Sequence, residues 1–62
     1  MIDVTRLNGM QITINSDHIQ FIEETPDTVV TFLDGKKILV KESKDEVVQL
    51  IIAFRKEIQN FY

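Results

Sequence analysis

Two dipeptides constrain this chain more than anything else in it. Asn8-Gly9 and Asp34-Gly35 each stand between runs of alternating or β-branched residues, and they hold both of its glycines. An Asn-Gly or Asp-Gly pair in that setting is the strongest short-range signal for a β-hairpin. Before Asn8 the chain reads I-D-V-T-R-L from Ile2, and after Gly9 it reads M-Q-I-T-I-N from Met10. Both runs alternate as half-buried strands do. Asn and Gly tolerate positive φ best, so a two-residue type I′ turn is expected between them.

Asn15, Ser16 and Asp17 form a polar break, and I-Q-F-I-E-E from Ile19 to Glu24 reads as a third strand. Thr25-Pro26-Asp27 ends it, with Pro26 suited to the second position of a type I turn. Thr28 to Leu33 (T-V-V-T-F-L) and Lys37 to Val40 (K-I-L-V) flank the second glycine pair and are apolar on both faces. One helix could cover only one of those faces. The sheet is therefore expected to curve strongly toward a barrel, or to lay its other face on a second subunit.

The helix announces itself at Ser43-Lys44-Asp45-Glu46, a capping box in which the Ser43 hydroxyl and the Glu46 carboxylate each accept the other residue's amide. Asp45 and Glu46 in the first turn, with Arg55 and Lys56 later, complement the helix dipole. No Gly or Pro interrupts Lys44 to Phe61, and Val47, Leu50, Ile51, Phe54, Ile58 and Phe61 share the face expected to dock. The expected architecture is α+β: a curved, barrel-like antiparallel meander of five strands, then one C-terminal amphipathic helix. The strands span about 2–7, 10–15, 19–25, 28–33 and 36–41 and the helix about 44–60, in a single small domain over residues 1–62.

Length sharpens the question of what covers the apolar residues. A chain of 62 residues buries only about 60% of its unfolded surface, and with no cysteine it has no disulfide to compensate. A homo-oligomer or another protein partner is therefore expected. A hydrophobic share of 44% argues for folding rather than disorder. The longest unbroken apolar run is short, so neither a signal peptide nor a membrane span is expected. The net charge of −3 gives no long-range attraction to nucleic acid or anionic lipid.

Catalytic chemistry finds little to stand on. His18 is the only histidine, next to Asp17 in a polar break, and reads as a turn residue rather than as a metal ligand or base. Glu23 and Glu24 face opposite ways on a strand, while Asp45 and Glu46 are accounted for by the helix start. Both glycines belong to hairpins, which leaves no phosphate-cradling loop. No catalytic residue, metal site or cofactor is expected. Lys36, Lys37, Lys41 and Lys44 form one basic cluster, but Asp34, Glu42, Asp45 and Glu46 are interspersed and no aromatic residue interleaves for stacking. Lysines on a sheet edge also discourage strand-to-strand aggregation.

An interaction surface is the better candidate. Val48 and Ile52 lie beside the docking stripe of the helix and widen its apolar surface beyond what a small sheet covers. With the terminal Phe61 and Tyr62 they form a candidate strip for self-association or partner docking.

The turn-bearing residues also spell a recognisable pattern. V-T-R-L-N-G at Val4 to Gly9, I-N at Ile14 and Asn15, I-x-x-I-E at Ile19 to Glu23, P-D-T at Pro26 to Thr28, D-G-K-K at Asp34 to Lys37 and V-K-E-S at Val40 to Ser43 follow in order. In this the chain resembles the FlbD family of small bacterial flagellar proteins, from Ile2 to about Phe54. The resemblance implies a cytoplasmic, non-enzymatic motility protein whose partner is the cytoplasmic side of the flagellar motor or its stator units. The alternative, a small RNA- or DNA-binding regulator of motility genes, would also use short strands and one helix. Most of the shared residues are turn and cap formers. Thr5, Arg6, Asp27 and Thr28 are polar without an evident backbone task, and Arg6 joins the helix strip as a candidate interface residue.

Overall fold

The computed structural model describes residues 1–60. Five strands and one helix follow in the order β1 (Ile2–Thr5), β2 (Gln11–Ile14), β3 (Ile19–Glu24), β4 (Thr28–Phe32), β5 (Lys37–Val40) and α1 (Lys44–Asn60). All ladders are antiparallel, so the class is α+β. The strands divide between two sheets, β1-β2 and β3-β4-β5, and close no barrel among the described residues. A continuous meander would pair β2 with β3. A 3-10 turn over Ser16–His18 intervenes instead, capped by the Asn15 side chain, which accepts the Asp17 N–H at 3.0 Å.

The two sheets meet at another seam. Arg6 bridges Val40, and the Lys41 N–H donates to the Thr5 carbonyl at 2.8 Å, which sets the end of β1 beside the end of β5. The curvature expected from two-sided apolar strands is thus achieved by folding a hairpin against a three-stranded sheet.

Both glycine hairpins have the same three-residue loop, and neither is type I′. The Gly9 N–H donates to the Arg6 carbonyl and the Arg6 N–H to the Met10 carbonyl, both at 2.8 Å. The Gly35 N–H donates to Phe32 at 2.9 Å and the Phe32 N–H to Lys36 at 2.8 Å. Among the described residues only the glycines have positive φ, +90° and +91°, whereas type I′ needs two such residues in each turn. Asn8 and Asp34 contribute side chains instead, accepting the amides of Met10 and Lys36 at 3.0 Å. A type I turn followed by a left-handed glycine fits these bonds. At the β3–β4 tip the Thr25–Pro26 peptide bond is cis. There the Thr25 N–H donates forward to the Asp27 carbonyl at 3.2 Å, the reverse of the bond that closes a type I turn.

The capping box forms as written: the Glu46 N–H donates to Ser43 Oγ at 3.1 Å and the Ser43 N–H to Glu46 Oε1 at 3.2 Å. Glu24, at the end of β3, adds a third cap by accepting the Lys44 N–H at 2.8 Å. Its charge sits at the positive end of the helix dipole.

Ile2, Val4, Ile14, Val30, Val40 and Val47 make the buried core, with Ile12, Ile19, Ile22, Phe32, Ile38, Ile51 and Phe54 packed around it. The helix enters this core through Val47, Ile51 and Phe54, an i, i+4, i+7 set. Leu50 and Ile58, expected on the docked face, are 36% and 42% exposed. Leu50, between the docked Val47 and Phe54, lies at the flank of their stripe, whereas for Ile58 the reason is length. Seventeen helical residues rise about 25 Å, whereas strands of four to six residues span about 13–20 Å. Every side chain from Arg55 to Ile58 is exposed.

Candidate functional site

Arg6 stands at the base of the first hairpin, where its own amide and carbonyl close the loop, so the residue has a backbone task that its sequence does not reveal. Its exposed side chain lines a groove of about 270 Å³ with Leu7, Asn8, Lys37, Ile38 and Leu39. Val48 and Ile52 line no part of that groove; they are 37% and 40% exposed on α1. Arg6 and the helix strip are therefore separate features. Phe61 and Tyr62 lie outside the described residues.

The remaining polar positions of the sequence pattern also serve the backbone. The Thr5 N–H donates to both carboxylate oxygens of Glu42, at 2.8 and 3.1 Å, while its carbonyl accepts Lys41. Burial, the largest single influence, would raise the Glu42 carboxyl, but hydrogen bonds from the Thr5 amide, from its own amide and from the Thr5 side chain together outweigh it, and the net pKa is lowered. Thr28 is buried, and the Asp27 carbonyl accepts the Thr25 amide.

The four lysines do not gather into one patch. Lys36 is in the second loop with its amide on Asp34, and Lys37 begins β5. Lys41 and Lys44 lie past the other end of β5, beside Glu42 and with the Lys44 amide on Glu24. Carboxylates at both ends break the continuous positive track that a phosphate backbone requires. His18 is exposed, and its carbonyl accepts the Leu33 N–H at 2.8 Å. Among the described residues no group of three His, Cys, Asp or Glu side chains is arranged to hold a metal ion.

One surface was expected only as the second face of the central strands, without the residues that compose it. Directly opposed residues of an antiparallel sheet share a face, so the register Glu23–Val29–Leu39 and Phe21–Thr31–Lys37 makes two rows on the side of β3-β4-β5 away from the core. Phe21 is 52% and Leu39 42% exposed, and neither belongs to the core. Thr31 is buried in the middle, with no hydrogen-bond partner for its hydroxyl among the described residues. The signal was present in the two-sided apolar character of Thr28 to Leu33 and Lys37 to Val40. What the sequence could not say was which residues of three strands would align.

No helix among the described residues is long and apolar enough to cross a membrane. The family model FlbD, described as flagellar and swarming motility proteins, matches residues 1–59. No curated protein and no solved structure matches the chain.

Proposed function

The chain belongs to the FlbD family of flagellar and swarming motility proteins, and from that membership we propose that it is a non-enzymatic interaction module at the cytoplasmic side of the flagellar motor or stator. The observation that carries this is the surface of α1. Among the described residues of α1 only Val47, Ile51 and Phe54 join the core cluster, while Val48, Leu50, Ile52 and Ile58 remain exposed on the same helix. An amphipathic helix that keeps apolar side chains in water after its inner face is docked resembles the helix-in-groove mode of recognition. The protein acts by occupying a surface of its partner, and needs no bond-making chemistry to do so.

The test is capture from flagellated cells with wild type, Arg6→Ala and Ile52→Asp as baits. Wild type is expected to recover an identified motor or stator component, and Ile52→Asp to lose it while staying folded. A folded wild type that recovers no motility component overturns the proposal. Retention on RNA or DNA at low salt, abolished by neutralising Lys36, Lys37 and Lys41, would favour the regulator instead.

A further inference from the structure

We propose that the outer face of β3-β4-β5 is a self-association surface that packs a second copy of this chain, sheet on sheet, about a two-fold axis lying in the interface. It is independent of the helix surface assigned above to motor partners.

The face is a small grid. One row reads Glu23, Val29, Leu39 and the other Phe21, Thr31, Lys37, from β3 through β4 to β5. The apolar residues run along one diagonal from Phe21 to Leu39, with Val29 beside it. The two charges occupy the opposite corners, and both are exposed. A two-fold interface is self-complementary, so whatever meets Glu23 must come from the same grid.

The position of the charges selects the axis. A two-fold parallel to the strands would set Glu23 over Leu39 of the second copy, and one perpendicular to them would set it over Phe21. Either would bury a carboxylate against hydrocarbon, which is costly. An axis along the Phe21–Leu39 diagonal exchanges the charged corners. Each Glu23 then faces Lys37 of the other copy, twice over, while Phe21 and Leu39 meet their own equivalents. Exchanging the two directions of the grid also sets the strands of the two copies at a steep angle, close to the orthogonal class of sheet packing.

Thr31 is already buried at the centre of the face, so contact there falls to the exposed Phe21 and Leu39 and the half-buried Val29 around it. Three strands at about 4.8 Å spacing make a face smaller than the roughly 800 Å² per partner of a standard interface. The association is therefore weak.

Sedimentation equilibrium from micromolar to millimolar protein tests this with wild type, Glu23→Lys, Lys37→Glu, the double exchange, and Ile52→Asp, each checked for folding by circular dichroism. Wild type is expected to dimerise. Each single reversal sets like charges against one another and should weaken the dimer by about tenfold or more, while the double exchange restores opposite pairs and most of the affinity. Ile52→Asp should leave the dimer unchanged. A wild type that stays monomeric throughout, a double exchange no better than the singles, or loss of the dimer only in Ile52→Asp would each overturn the proposal.

Discussion

The Glu42 carboxylate receives the Thr5 amide through both of its oxygens across 37 residues of sequence, sealing the seam between the two sheets. The native carboxyl titrates below its ordinary value of 4.5. A depressed native pKa contributes stability that is fully present above about pH 4.5 and is lost as the pH falls through the lowered value. Glu42→Gln is expected to lose about 1 kcal/mol at pH 7, a charge-assisted bond discounted for partial exposure. It should also flatten the acid limb of stability against pH. Urea titrations from pH 3 to 7 read both, and parallel curves for variant and wild type would contradict the assignment.

Val47 and Val48 are neighbours with opposite surroundings, 0% and 37% exposed. Val47→Ala should cost about 2 kcal/mol by opening a cavity among Val4, Val30 and Val40, lowering Tm by roughly 10 °C. Val48→Ala should stay within about 0.5 kcal/mol of wild type. Thermal unfolding of the pair decides which face of the helix is docked.

Gly9 and Gly35 have φ of +90° and +91°, with nothing within 4 Å of an added Cβ. Alanine at either position therefore meets only backbone strain, about 1–2 kcal/mol. Asn8→Ala should cost less, about 0.5 kcal/mol, because it removes one exposed bond to the Met10 amide and no left-handed residue. Equal penalties at Asn8 and Gly9, measured by denaturant unfolding, would indicate type I′ geometry instead.

The helix start is held by residues from two places, Ser43 beside it and Glu24 from β3. Ser43→Ala and Glu24→Gln are each expected to lose about 1 kcal/mol, Glu24 through its charge at the helix N-terminus. The two losses should fall short of additive, since the caps share one helical turn. A double-mutant cycle in urea measures the coupling.

Local features of this fold could be read directly. Ser43 and Glu46 form the box their spacing implies, and Asn8-Gly9 and Asp34-Gly35 turn the chain where they should, because both depend on residues within four positions of one another. The loop type escaped because Asn-Gly serves a three-residue loop as readily as a two-residue one. Long-range partners were the invisible part. Nothing near Glu42 in sequence points to Thr5, nothing near Glu24 points to Lys44, and Arg6 pairs with Val40 only once β1 has met β5. The same applies to Ile58, where helical spacing places the residue on a face but does not say how far the sheet extends beneath it. For the interaction surfaces, Val48 and Ile52 could be singled out from periodicity alone. The alignment of Phe21, Val29 and Leu39 required the register.

The clamp of Glu24 and Ser43 on the first turn of α1 gives the molecule a mechanical asymmetry. One end of the rod is pinned to the sheet, and the other, near Ile58, projects roughly 20 Å away. Force applied at that tip acts through the overhang beyond Phe54, an arm of about 6 Å, so a load borne there levers on the Phe54 contact before it reaches the capped first turn.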